Sequence, residues 1–308
     1  MELNKQSTRE HHTHPARFPY FENAQGDEPL NKEETALFLK AHGKIGWLAN
    51  CLRCDLSYTY SMLAQSMQKP LAKHMKQVRH AARYLKGTSN YAFVNRQEKP
   101  FQESSWDFYT DTDHAGDTTP ETKRKSRFGY IATVNGFPVL WKSTTTCSGV
   151  CAHPKIDGNH AEDSSAGAEI FGASVATKAF MHLEYIVQEM NLPFPSPYTL
   201  HYDNQTAGNF ILGDIMNTKM KHIDIRQHWV KELRDRSIMT PQKIDTKKNL
   251  ADLFTKGLQG EQLNRMTKSW HEGCETGVFV QLHLPQDDVK ETKTSKQTSS
   301  KRKNKSAS

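Results

Sequence analysis

The alternation of apolar and polar positions divides the chain into stretches of different period. Residues 1–30 are polar and carry no period. From about 31 to 87 apolar residues recur at helical spacing, most clearly in PLAKHMKQVRHAARYLKG, where Leu71, Met75, Val78, Ala82 and Leu85 form one stripe. Pro70 stands at a first-turn position of that helix, and Gly87 stands where a C-cap belongs. Lys73, Lys76, Arg79, Arg83 and Lys86 form a separate basic stripe, suited either to a phosphate backbone or to plain solvation.

From residue 106 the period drops to two. WDFYTD and RFGYIATVNGFPVLWK read as strands, with the second run folding back at Asn135-Gly136, the strongest short hairpin signal there is. A helix over about 165–190 follows, then a strand YTLHYD at 198–203 and a short helix. A stronger helix around 222–237, an extended piece near 238–245 and a final helix from Asn249 complete the pattern. The order β, β, β, α, β, α, α, β, α predicts an α/β fold with a mixed sheet covered by helices.

Acidic residues stand at unusual places in this pattern. Asp111 and Asp113 share one face of the first strand, and Asp111 closes its aromatic run. In the long helix, positions 169, 173, 176, 180, 183, 187 and 190 follow one another at spacings of four and three, so Glu169 heads an otherwise apolar stripe. A glutamate there is costly unless paired or metal-bound, although a first-turn acid also suits the helix dipole. Asp203 ends a strand, a position that lines ligand crevices in α/β sheets and also serves as an N-cap. Asp252, with Asn249 as N-cap, occupies N3, where capping alone favours an acid. If these acids converge at one end of the sheet, they repel one another unless divalent cations neutralise them. Mg²⁺ (or Mn²⁺) is the natural guest, and two such ions form the clamp used in phosphodiester cleavage.

Composition narrows the setting. The chain has 308 residues, of which 36 % are hydrophobic. No run approaches the ~20 apolar residues of a membrane span, and the N-terminus lacks a signal-peptide core, so a soluble intracellular protein without a membrane partner is expected. The net charge of +7 is concentrated at the C-terminal end. Lys290–Ser308 holds six lysines and one arginine against one glutamate, a balance of +6 that leaves the remaining 289 residues near +1. KRKNK at 301–305 fits nuclear import, phosphate binding or simple solvation, and the compartment stays open between nucleus and cytoplasm. Five cysteines in a long chain argue against a disulfide scaffold.

Taken in order, YTDTDHAGD, KSRFGYIATVNGFPVLWKS, SSAGAEI, YDNQTA, KHIDIRQHWVKE and NLADLFTK resemble the ribonuclease H region of copia-type retrotransposon Pol polyproteins. GKIGWLANCLRCDLSYTYSMLAQSM through HMKQVRHAARYLKGT resembles the segment that joins the family's reverse transcriptase to that region. The resemblance covers about 40–258. It implies a ribonuclease H-like mixed five-stranded sheet flanked by helices and preceded by a small helical connection segment. The implied division is a disordered N-terminus at 1–30, the connection at 31–100, the ribonuclease H-like domain at 104–260, an extension at 261–285 and a disordered basic tail at 286–308. It further implies that Asp111, rather than Asp113, together with Glu169, Asp203 and Asp252, holds two Mg²⁺ or Mn²⁺ ions and cleaves the RNA strand of an RNA–DNA hybrid. Other parts of a Pol polyprotein are the implied protein partners.

The chain departs from that pattern in several places. It contains no Tyr-x-Asp-Asp, so polymerisation by this chain alone is not expected. Gly167 replaces a usual glutamate, and Cys54 replaces a usual proline. The stretch TTTCSGVCAHPKIDGNHAEDS is longer than the usual connection and brings Cys147, Cys151, His153 and His160 close in sequence. Their spacing fits no common zinc finger, so a loop beside the substrate groove is the preferred reading over Zn²⁺. Cys51 and Cys54 are read as packing residues rather than a redox pair. These departures keep a second possibility in view, a catalytically silent or domesticated nucleic-acid-binding remnant.

Overall fold

The computed structural model describes residues 28–89, 91, 93, 101–114, 126–145, 165–213, 225–258 and 260–271. They belong to one compact unit, Met1–Glu275. Most of the expected disordered N-terminus, the Cys147, Cys151, His153 and His160 set, the Lys221–Asp224 part of KHIDIR and the basic tail lie outside the described residues.

Three helices come first. Helix α1, Lys32–Cys51, opens with a capping box: the Asn31 side chain accepts from the Glu34 N–H at 2.8 Å, and the Glu34 carboxylate accepts from the Asn31 N–H at 3.2 Å. Helices α2, Ser57–Ala64, and α3, Ala72–Gly87, complete the segment. The helical reading of 31–87 holds, but the α3 stripes differ in two members. Ala82 is exposed and Lys73 is buried, while Lys76, Arg79, Arg83 and Lys86 face solvent. Lys73 lies one turn from Gln77 and two turns from His80 on the packed side, so helical angle overrides residue type there.

The sheet contains β1 (Trp106–Asp113), β2 (Arg127–Val134), β3 (Phe137–Thr145), β4 (Tyr198–Tyr202) and β5 (Met239–Lys243) in the order β3-β2-β1-β4-β5. The β1–β2 and β2–β3 pairings are antiparallel, and the β1–β4 and β4–β5 pairings are parallel. This is the mixed five-stranded sheet of the ribonuclease H-like fold. The hairpin turns at Asn135 and Gly136, both at positive φ, as Asn-Gly requires. Strand β1 runs two residues beyond the expected end, because Asp111, Thr112 and Asp113 still pair with Gly129, Phe128 and Arg127.

Helices cover both faces. On one side α4 (Ser165–Glu189), α5 (Gln205–Leu212) and α6 (Ile225–Asp235) close a core of Phe108, Tyr130, Ile170, Phe180, Tyr198 and Leu200, among others. The predicted α4 stripe holds at Ala173, Ala176, Phe180 and Val187, all buried. It fails at Met190, which lies past the helix end and is 61 % exposed. On the other side α7 (Asp252–Thr255) and α8 (Gly260–His271) share a core with the first segment, combining Ala49, Leu56 and Tyr84 with Ile131, Phe254 and Trp270. The expected single final helix is therefore two. The helix breaks at Lys256, whose backbone is extended, with Gly257 following.

Candidate metal centre

Parallel pairing brings the C-terminal ends of β1 and β4 to the same edge of the sheet. Asp111 sits near the end of β1, and Asp203 follows β4 directly. Asp203 is not the cap of α5: the Asn204 side chain accepts from the Ala207 N–H at 3.0 Å and takes that role. The Asp203 carboxylate is thus left at the strand ends, where the Thr246 hydroxyl donates to it.

Glu169 arrives from α4. The Thr112 hydroxyl donates to the Ala168 carbonyl at 3.3 Å, and the Thr112 N–H donates to the Glu169 carboxylate. This approach depends on Gly172, because a Cβ there would collide with Thr112 Oγ1. The opposite side repeats the device. Gly129, paired with Asp111 across the strands, lies against Phe254 of α7, and a Cβ at Gly129 would overlap the Phe254 side chain. That contact delivers Thr255, whose hydroxyl donates to Asp111 Oδ2, and Lys256.

The outcome is an acidic cluster. One carboxylate oxygen from each of Asp111, Glu169 and Asp203 lies within 4.8 Å of the others. Asp111 is 1 % exposed and Glu169 is 8 % exposed, so water screens neither well. Asp252 adjoins this trio, joined to Asp111 through Lys256: the ammonium lies 2.6 Å from Asp252 Oδ1 and 3.3 Å from Asp111 Oδ2. Asp252 is the first residue of α7 rather than its third. The expected Asn249 cap instead closes a turn, accepting from the Ala251 N–H at 3.1 Å while its amide donates to the Thr110 carbonyl at 3.0 Å. Asn249 thereby ties the loop carrying Asp252 to the strand carrying Asp111.

The electrostatics show the strain of this arrangement. Burial first, then the charges of Asp111 and Asp203, pushes the Glu169 carboxyl up to about 9. Burial and Asp111 push Asp252 up to about 7, and the same two causes raise Asp203. Burial disfavours the Lys256 cation, but Asp111 and Asp252 outweigh it and raise its pKa above the ordinary value. All-oxygen donors, dense negative charge and burial match the chemistry of a hard divalent cation, so Asp111, Glu169 and Asp203 form a cluster able to hold a metal.

All four acids named from the sequence thus reach one region, three as a ligand-ready group and Asp252 beside them. Asp113 remains in the strand, opposite Arg127. Lys256, Thr255, Thr246 and the two close-approach glycines escaped the sequence reading. A glycine inside a strand and another inside a helix were the available signals, since each weakens its element unless a neighbour needs the room.

Comparison with known proteins agrees with the motifs. No protein-family model matches the chain. The retrovirus-related Pol polyprotein from transposon TNT 1-94 of Nicotiana tabacum is 28 % identical over 220 residues, 71 % of this chain and 15 % of that protein. The Pol polyprotein from transposon RE1 of Arabidopsis thaliana is 26 % identical over 216 residues, covering 70 % and 13 %. The truncated transposon Ty1-A Gag-Pol polyprotein of Saccharomyces cerevisiae is 24 % identical over 250 residues, covering 79 % and 19 %. The chain therefore spans less than a fifth of each of these relatives. In its motifs, its fold and these matches, the chain is similar to one segment of retrotransposon Pol polyproteins.

Proposed function

We propose that this chain is a metal-dependent ribonuclease of the ribonuclease H type, cutting the RNA strand of RNA–DNA hybrids. The observation that carries the reading is the meeting of Asp111, Glu169 and Asp203 within 4.8 Å at the strand ends, with Asp252 alongside. Residues 31–100 would be the connection-like part and 104–260 the nuclease part, with α8 as a packed extension.

In this reading Asp111, Glu169, Asp203 and Asp252 hold two Mg²⁺ or Mn²⁺ ions, which supply water activation and stabilisation of the leaving oxygen. The chain's own work is positioning. Gly172 and Gly129 set the approach of α4 and α7, Asn249 fixes the Asp252 loop to β1, and Thr255 orients one Asp111 oxygen. Exposed Lys76, Arg79, Arg83 and Lys86 on α3 would meet backbone phosphates, making affinity salt-dependent. Contacts to 2′-hydroxyls across the wide minor groove would select the RNA strand.

The test uses a labelled RNA–DNA hybrid with the purified chain in Mg²⁺, in Mn²⁺ and in EDTA. Cleavage of the RNA strand that EDTA abolishes is expected. Asp203→Asn should lower the rate by about 10³-fold or more while hybrid binding persists. Binding without cleavage in any metal would replace this reading with that of a silent nucleic-acid-binding remnant.

A further inference from the structure

Among the described residues, Lys256 is the cation of the acidic cluster that ion-pairs with two of its carboxylates. Its ammonium is 2.6 Å from Asp252 Oδ1, 3.3 Å from Asp111 Oδ2 and 3.4 Å from Asp111 Oδ1. Asp111 thus gives both oxygens to protein donors, Oδ2 to Thr255 and Lys256 and Oδ1 to Lys256. A divalent cation shared by Asp111 and its neighbours needs the same lone pairs.

We propose that Lys256 is a built-in counterion which occupies the acidic cluster in the metal-free protein and vacates it when a divalent cation binds. The same side chain then stabilises the empty centre and competes with its loading. This inference rests on the proposed reading of the acids as divalent-cation ligands.

Three features support a displaceable counterion over a fixed structural ion pair. The Lys256 side chain is 37 % exposed, whereas those of Asp111 and Asp252 are 2 % and 3 % exposed, so the lysine has a route to solvent that the acids lack. It stands just past the end of a four-residue helix with extended backbone, and its stem has four rotatable carbons, so departure requires no unwinding. The charges also do not balance: even with Glu169 neutral in the metal-free chain, three further carboxyl groups face one ammonium, leaving room for further positive charge but placing any incoming cation against Lys256.

Mn²⁺ binding, followed by loss of the free-ion electron paramagnetic resonance signal, tests the idea without reference to cleavage. Lys256→Met should bind Mn²⁺ about tenfold more tightly than wild type, the size of one screened repulsion at a few ångströms. It should also melt at a lower temperature in EDTA, with saturating Mn²⁺ bringing the two proteins together. Lys256→Arg keeps the charge, grips carboxylates with two N–H groups, and should bind Mn²⁺ about threefold more weakly than wild type. If Lys256→Met does not fold in EDTA, folding induced by Mn²⁺ supports the proposal, and the Lys256→Arg result still decides it. Both variants binding within about twofold of wild type would overturn the competition and leave the nuclease reading intact. Absence of Mn²⁺ binding in wild type and variants alike would overturn both.

Discussion

Among the described residues, two buried charge clusters are built on opposite terms. In the first segment Asp55 accepts from Arg53 Nε at 3.0 Å, from Arg53 Nη2 at 2.7 Å and from the Tyr84 hydroxyl at 2.7 Å. The guanidinium also donates to the Thr88 hydroxyl and carbonyl and packs over the Tyr84 and Tyr91 rings. One acid meets one base, and the polar atoms of the pair are satisfied. At the sheet end four acids meet one lysine. Burial alone therefore does not mark a site. Arg53 and Asp55 are at least as buried as Glu169, yet they close on themselves, whereas the acids stay open to a cation.

The sharpest break in this comparison is Glu169→Gln. In the absence of metal Glu169 is held protonated near pH 7 because burial and Asp111 push it to about 9, so a neutral glutamine imitates it. Cleavage should fall by about 10³-fold or more while the melting temperature in EDTA barely moves. Loss of EDTA stability equal to that of a core mutant would mean that the acid is structural.

Arg53→Met should behave the other way. Removing one partner of a buried bidentate pair leaves Asp55 uncompensated and should cost about 3–5 kcal/mol in urea unfolding. That loss should be the same with and without Mg²⁺. A metal-dependent loss would join the two clusters and undo the contrast.

A smaller effect is graded by pH. Asp252 and Glu169 have folded values of about 7 and about 9, above their ordinary 3.8 and 4.5. The folded chain therefore holds protons that the unfolded chain releases, and this contribution to stability is fully present below about pH 4 and declines as pH rises towards about 9. Melting temperature in EDTA should fall across that window, and saturating Mg²⁺ should flatten the decline. A decline that Mg²⁺ leaves unchanged would contradict the assignment.

Much of this was legible in residue order. The hairpin at Asn135-Gly136, the helix bearing Glu169 and the strand before Asp203 follow from period and turn chemistry, which are local properties. What escaped is made by approach between distant segments. Nothing near Gly129 in sequence announces Phe254, and nothing near Lys256 announces Asp111. Local pattern makes Asn249 a helix cap, but its amide reaches Thr110 across the fold, and Asp252 stands at the first position of α7. Lys73 and Ala82 show the same limit from the other direction, because the packing of neighbouring helices decides which face of α3 is buried.

The most direct measurement is anomalous diffraction at the manganese edge from crystals of the chain grown or soaked with Mn²⁺. The account predicts manganese peaks bounded by Asp111, Glu169 and Asp203, with Asp252 contacting one and the Lys256 ammonium turned to solvent. Crystals saturated with Mn²⁺ that show no peak there, and Lys256 still bridging Asp111 and Asp252, would contradict it.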